Sequence, residues 1–486
     1  MVVYINLQSF EYDVLALLNS FFMSEKIVIL TDSSLESKKV EFQDQVTHRI
    51  RIEDDSTKVE YQGSHFESWK GMHSFATTKE YKYYFKRQYY RYFANITGKT
   101  LEWGSITGIR PTKIALQVLE KAKSSEYFDP VSELEEEYLL SNRKANLLVE
   151  VASLENKLFQ TVDLSQGYSL YIGIPFCPTT CLYCSFTSYP IHRYESMVEQ
   201  YLDALILEMQ YVASAFKDKR LTTVYIGGGT PTTLNPNQLE RLLGALKDCF
   251  DWENVLEFCV EAGRADSITR DKLVVLKRYG VERISVNPQT MNDQTLKLIG
   301  RNHTSEQAIE AFQLAREVGF SNINMDIILG LPGEGIKEVE KTLREIEKLH
   351  PDSLTIHSLA LKRASAMVDW MEKQNYQIVK DLQDEMDLGI EAAKRMNLNP
   401  YYLYRQKNMA GNLENIGFAK EGCYGFYNCI IMEELQTVIA LGAGAVSKFV
   451  FGDGRIERCD NIKDVTLYTN QILDMIQRKK LLVEKL

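Results

Sequence analysis

The chain has 486 residues, 45% hydrophobic and 25% charged, with 27 Gly and 11 Pro. These globular proportions exclude disorder, a collagen-like repeat or a coiled coil as the overall architecture. Lys plus Arg number 56 against 66 Asp plus Glu, and the resulting net charge of −10 excludes a general polyanion binder. At about 100–200 residues per domain, the length predicts roughly two to four domains.

In chain order, Met1–Leu7 and Lys26–Leu30 read as strands around a helix at Tyr12–Phe22. Val40–Tyr61 alternates polar and apolar residues like a hairpin that turns at Asp54-Asp55-Ser56. Helix is predicted over Thr78–Asn95 and, in an acidic region, over Pro130–Leu158. Six short apolar runs follow: Ser169–Ile174, Thr223–Ile226, Leu256–Glu261, Arg283–Asn287, Ile323–Leu329 and Ser353–His357. Helical segments separate them, among them Ser196–Phe216, Pro236–Cys249, Ser305–Val318 and Ile336–Leu349, with Gly319 where a helix-terminating glycine belongs. Strands alternating with helices predict βα units on a parallel sheet, either an open partial barrel or a doubly wound sheet. In both, chemistry sits beyond the carboxyl ends of the strands. Beyond Met367 we expect a helix near Gln377–Met396, a strand Tyr401–Tyr404, a Gly-rich stretch, a hairpin around Gly452-Asp453-Gly454 and a last helix Val465–Lys480. The division expected is 1–165, 166–366 and 367–486.

Met1-Val2-Val3-Tyr4-Ile5-Asn6 has no basic lead-in to an apolar segment, and no window reaches a membrane-spanning length of uncharged residues. A cytoplasmic chain without a membrane span is expected. There, clustered cysteines read as metal or redox chemistry. Three of the eight cysteines form Cys177-x-x-x-Cys181-x-x-Cys184, directly after the first apolar run of the βα region. Three thiolates on a tight loop can ligate three irons of a 4Fe–4S cube and leave the fourth open. Structural zinc wants four closed ligands, and no nearby His or Cys completes such a set. Cys249, Cys259, Cys423, Cys429 and Cys459 are scattered and read as packing residues.

Tyr171-Ile-Gly-Ile-Pro-Phe-Cys177 and the three-cysteine loop resemble the radical S-adenosylmethionine (SAM) superfamily, and within it the oxygen-independent coproporphyrinogen III oxidase-like group, most closely its HemZ branch. The resemblance implies an α/β fold: a partial (β/α)6 radical-SAM barrel between an N-terminal α+β domain and a mostly helical C-terminal cap over the barrel mouth. It implies a 4Fe–4S cluster held by Cys177, Cys181 and Cys184, with SAM chelating the open iron. By the same likeness, Gly228, Gly229 and Thr230, within Gly227-Gly-Gly-Thr-Pro-Thr232, contact the methionyl part of SAM. Glu261, Gln289 and Asp326 are its hydrogen-bond partners, Arg301 pairs with its carboxylate, and Tyr171, Tyr183 and Ala360 occupy further SAM-contact positions. The activity implied is oxidative decarboxylation of coproporphyrinogen III propionates to vinyls, with a tetrapyrrole substrate and an external flavodoxin- or ferredoxin-like electron donor.

Two departures bear on the substrate. Phe186 stands where decarboxylating enzymes commonly carry a fourth cysteine, and Gly173 replaces the usual His two residues after the leading Tyr. A haem chaperone of the same family, or radical SAM chemistry on another tetrapyrrole, is the alternative. The chaperone branch's His-Asn-x-x-Tyr-Trp segment has only Tyr427-Asn-Cys-Ile-Ile-Met432 as its counterpart, and His357 is one candidate axial ligand. Finally, Tyr81, Phe85, Tyr89 and Tyr92 share one face of a helix edged by Lys82, Lys86 and Arg87. That face reads as an amphipathic helix packed on its own domain, more readily than as a base-stacking surface or a dock for an acidic partner. Nucleic acid is not an expected partner. Trp103-Gly-Ser-Ile-Thr-Gly-Ile-Arg-Pro111 reads as a turn before a helix start.

Overall fold

A computed structural model describes every residue except 24, 35–40, 124–126, 161, 163, 165, 363–364, 377–381 and 407–408. Val40 of the expected hairpin and Gln377 of an expected helix therefore lie outside the described residues. The chain divides into two compact units, Met1–Glu150 and Val151–Leu486.

The first unit is built on a five-stranded sheet in the order β2-β1-β3-β4-β5, formed by Val2–Ile5 (β1), Val28–Thr31 (β2), Val46–Ile52 (β3), Ser56–Tyr61 (β4) and His65–Lys70 (β5). Strand β5 is a difference from expectation. Nearly all its residues are exposed, so no polar–apolar alternation marks it. The expected acidic helix breaks at Leu139, which adopts φ 58°, into Pro130–Tyr138 and Asn142–Gln160. In the helix Thr78–Thr97, the rings of Tyr81, Phe85, Tyr89 and Tyr92 are buried in the core with Phe10, Val14 and Leu17. They are not available to stack on bases. His48 joins the same core, its Nε2 2.7 Å from the Tyr89 hydroxyl, and burial pushes its pKa down to about 4. Lys82 and Lys86 flank Asp13 at 3.3 and 3.8 Å.

The second unit carries an eleven-stranded sheet, with a two-stranded ribbon beside it. Its strands are Gly167–Ile174 (β6), the ribbon pair Phe176–Cys177 (β7) and Tyr189–Pro190 (β8), Arg220–Gly228 (β9), Glu257–Gly263 (β10), Arg283–Val286 (β11), Asn322–Leu329 (β12) and Ser353–Ser358 (β13). The six main strands lie side by side in chain order, β6-β9-β10-β11-β12-β13, all parallel. A doubly wound sheet reverses its order at a switch point. This one does not, so the architecture is the open barrel. Local signals agree: Asn235 with Gln238 and Thr304 with Gln307 form reciprocal N-terminal caps, each worth about 1 kcal/mol. Gly319 closes the second of these helices at φ 101°.

The C-terminal third is mostly helical, as expected, but its described residues also hold five strands. It contributes Asn399–Tyr404 (β14), Asn415–Ala419 (β15), Thr437–Leu441 (β16), Val446–Val450 (β17) and Ile456–Asp460 (β18), which extend the sheet at both edges. β15 pairs antiparallel with β13, and β16 parallel with β6. The physical reason is that an open barrel leaves two edges of unpaired backbone groups, and chain from the same molecule covers them. The run Thr437–Leu441, fully buried, gave no alternation from which to read its faces.

One buried network ties this segment to the barrel. The Glu208 carboxylate accepts four hydrogen bonds, from Lys479 Nζ (2.7 Å), Asn461 Nδ2 (2.9 Å), Tyr468 Oη (2.7 Å) and the Gly442 N–H (2.9 Å). Both charges are fully buried and satisfied, so removing one partner strands the other. Lys479→Met is expected to cost about 3–5 kcal/mol of stability, read as a lowered denaturant midpoint; an unchanged midpoint would contradict the network's role.

Candidate functional site

The site lies at the carboxyl ends of the parallel strands. Cys177 ends β7, whose pairing with β8 closes the loop that holds all three cysteines. The Thr179 hydroxyl donates to the Gly300 carbonyl (2.8 Å) and the Leu182 N–H to that of Ile299 (3.0 Å), so the loop is tied to the segment that precedes Arg301. The three cysteines form no disulfide. Burial pushes the Cys177 thiol up and that of Cys184 up to about 11. A metal must therefore displace their protons as it binds.

The glycine turn after β9 is packed against this loop. The N–H groups of Gly229 and Thr230 donate to the carbonyls of Ile174 (2.8 Å) and Phe176 (2.7 Å). A Cβ at Gly229 would lie 2.6 Å from the Phe176 oxygen and one at Gly227 2.9 Å from the Glu261 carboxylate. These glycines are needed for the close approach of the protein's own elements. The Thr230 hydroxyl donates to Cys177 Sγ at 3.5 Å.

Arg301 is buried. It donates through Nη2 to the Tyr183 hydroxyl (2.8 Å) and through Nη1 to the Asn287 carbonyl (3.1 Å). Gln289 holds a left-handed backbone at φ 68°, exchanging main-chain bonds with Asp326 and Ile328 on β12. Asp326 accepts from Asn324 Nδ2 (2.6 Å) and lies 3.7 Å from His357 Nε2. On β10, Glu261 accepts from the Tyr225 hydroxyl at 2.5 Å. Tyr225 stacks on Tyr427 of the helix Phe426–Glu433, centroid to centroid 4.5 Å, with Tyr171 beside both. One element of the C-terminal third thus packs on the face of the sheet that carries Glu261. Ala360 bridges to Met409 and stands apart from these contacts.

Two carboxyls in this site are driven in opposite directions. Burial, reinforced by Asp326, pushes Glu261 up to about 7 despite the Tyr225 bond. Burial acts the same way on Asp326, but the hydrogen bond and charge of His357 outweigh it and hold that carboxyl below its usual range. One group takes up a proton near neutrality while the other stays ionised.

Among the described residues, several buried polar atoms at this end have no hydrogen-bond partner: Gln289 Oε1, Asn287 Oδ1, Ser285 Oγ, Arg301 Nε and His303 Nε2. Native interiors rarely leave such groups unpaired without a ligand or water. Three disulfide-free thiols beside a ring of unspent donors and acceptors suit an iron–sulfur cluster with a polar, charged molecule next to it.

Comparison with known proteins agrees. Residues 171–346 match the radical SAM superfamily. HemZ, an oxygen-independent coproporphyrinogen-III oxidase-like protein of Bacillus subtilis, is 44% identical over 384 residues, 77% of this chain and 75% of that protein. The chain belongs to this radical SAM family. The heme chaperone HemW of Bacillus subtilis is 33% identical over 278 residues, 57% of this chain and 70% of its own length. The structure of HemN, the coproporphyrinogen III oxidase of Escherichia coli, superposes with a TM-score of 0.51 at 25% identity, covering 66% of this chain and 73% of that one. The protein is thus a radical SAM oxidoreductase that uses a 4Fe–4S cluster and SAM, on a mixed α/β fold. No helix among the described residues is long and apolar enough to cross a membrane.

Two side chains at the site escaped the sequence reading. Arg264 and Tyr225 gave no motif signal; what could have drawn attention to Arg264 is a charged residue directly after a buried strand, two residues before Asp266. For Glu261, a pKa raised from 4.5 to about 7 means stability that is fully present below pH 4.5 and lost as the pH rises through 7. In cluster-free protein, Glu261→Gln is expected to match the parent near pH 4.5 and to exceed it by about 3 kcal/mol at pH 8 in denaturant unfolding. Equal stability at pH 8 would show that Glu261 is not so shifted.

Proposed function

We propose that this protein is a coproporphyrinogen III dehydrogenase-like enzyme, converting propionate side chains of a porphyrinogen to vinyl groups by oxidative decarboxylation in tetrapyrrole biosynthesis. The observation that carries the reading is the 44% identity to HemZ, over a stretch that runs well beyond the 171–346 segment. When bound, the cluster and SAM supply a 5′-deoxyadenosyl radical. In this reading Cys177, Cys181 and Cys184 hold three irons, the first two thiols buried and the third half-buried. Arg301, a planar fork tied down at Nη1 and Nη2, is suited to a SAM carboxylate through its unspent Nε. Glu261, Gln289 and Asp326 are acceptors for the ribose hydroxyls and nearby donors. Gly228, Gly229 and Thr230 line the methionyl part, while Tyr171, Tyr183 and Ala360 complete the contacts. The substrate is a tetrapyrrole, the electron donor an external flavodoxin- or ferredoxin-like protein, and the compartment cytoplasmic.

A second reading, a haem-binding chaperone, is favoured by Phe186, 72% exposed where the decarboxylating enzymes carry a cysteine, and by the likeness to HemW. An anaerobic assay with reductant, SAM and coproporphyrinogen III separates the two. The reconstituted protein is expected to yield protoporphyrinogen together with 5′-deoxyadenosine. Neither product, together with stoichiometric haem uptake, would overturn the enzyme reading in favour of the chaperone. Cys181→Ala should abolish SAM cleavage, and cleavage that persists would sink the cluster assignment.

A further inference from the structure

We infer that Arg264 is a positioning residue that sets the reduction potential of the cluster by donating to the sulfur of Cys181. Arg264 follows directly on β10, in a tight turn where its N–H bonds to the Ala262 carbonyl (2.6 Å) and the Ser267 N–H returns to its own carbonyl (3.0 Å). The residue is only 3% exposed, so its charge needs fixed partners. Asp266 supplies them in bidentate form, accepting from Nε at 2.9 Å and from Nη2 at 2.6 Å. That grip fixes the guanidinium plane and leaves Nη1 facing the cysteine loop. There it donates to the Thr179 carbonyl (3.0 Å) and to Cys181 Sγ (3.5 Å). Asp266 is itself held well below the usual carboxylate range: burial opposes this, but His303 and Arg264 outweigh it, so the anchor stays charged.

The carbonyl contact alone would be enough to brace the loop. The sulfur contact does something more. A donor and a buried positive charge at a ligating sulfur stabilise the reduced cluster, which carries one more negative charge, more than the oxidised one. Arg264 therefore makes the cluster easier to reduce. Thr230 makes the corresponding contact to Cys177, but as a neutral donor, with no charge to add.

The inference rests on Cys181 being a cluster ligand, and the experiment separates the two. Full-length parent, Arg264→Met, Arg264→Lys and Asp266→Asn are reconstituted anaerobically, iron and sulfide are counted, and each is titrated against potential with the reduced cluster followed by electron paramagnetic resonance. Arg264→Met is expected to be about tenfold harder to reduce, a midpoint about 59 mV more negative for one electron. Arg264→Lys, which keeps the charge but not the fork, should fall between, whereas Asp266→Asn, which strips the negative counter-charge from the guanidinium, should move the midpoint positive of the parent. Coincident midpoints for the parent and any loaded Arg264→Met would overturn the inference. If Arg264→Met takes up no cluster, the other two variants decide it by their opposite shifts or by the absence of any. Loss of cluster from all three, with unchanged circular dichroism, would overturn it in favour of a role in assembly only. A parent that binds no cluster would sink the ligand assignment instead.

Discussion

The parallel register between β6 and β9 is the constraint on which the site depends. It sets Tyr171 opposite Tyr225, Gly173 opposite Gly227 and Ile174 opposite Gly228. Because side chains alternate in a strand, a slip of one residue would send Tyr171 and Tyr225 to the other face and part the cysteine loop from the glycine turn. With the register as it is, the last carbonyls of the β6 strand and loop receive the N–H groups of Gly229 and Thr230. The neighbouring β9–β10 pairing brings the Tyr225 hydroxyl onto Glu261. The loop, the turn and the first carboxylate of the site are thus consequences of two adjacent ladders that share β9.

Polar groups are treated differently at the two places where this fold buries them. Around Glu208 four donors meet two carboxylate oxygens, and the Lys479 charge is satisfied within the chain. Around Arg301 and Gln289 the accounts stay open, with buried donors and acceptors that no described residue meets. The first arrangement holds structure together; the second is what a polar ligand would complete. The two buried arginines near the cysteines follow the same contrast. Arg264 has Nε and both Nη groups engaged, whereas Arg301 keeps Nε unspent.

The C-terminal third belongs to the barrel as much as the six βα units do. An open sheet has edges, and β15 and β16 cover them from the two sides. The helix Phe426–Glu433 brings Tyr427 onto Tyr225, and the Tyr427 N–H donates to Glu257 at 2.8 Å on the same strand that carries Glu261. Residues nearly two hundred positions apart therefore shape one face.

Much of this was legible in the residues, because the relevant signals are local. The three-cysteine spacing, the glycine turn, the six short apolar runs and the helix-terminating Gly319 are all local patterns, and each marks an element within a few residues of where it lies. Exposed β5, the fully buried β16 and the pinned guanidinium of Arg264 carry no such pattern. β5 is a hairpin partner of β4 that exposure hides from any pattern, while the roles of β16 and Arg264 follow from partners far away in the chain. By itself the sequence determined the chemistry available, three thiolates and a set of polar residues at strand ends, since ligand type and periodicity are written in neighbouring residues. Only the tertiary structure decided which sulfur meets which donor, which carboxyl is driven up and which down, and what covers the sheet edges, because distance and burial are set by packing between elements that the sequence keeps far apart.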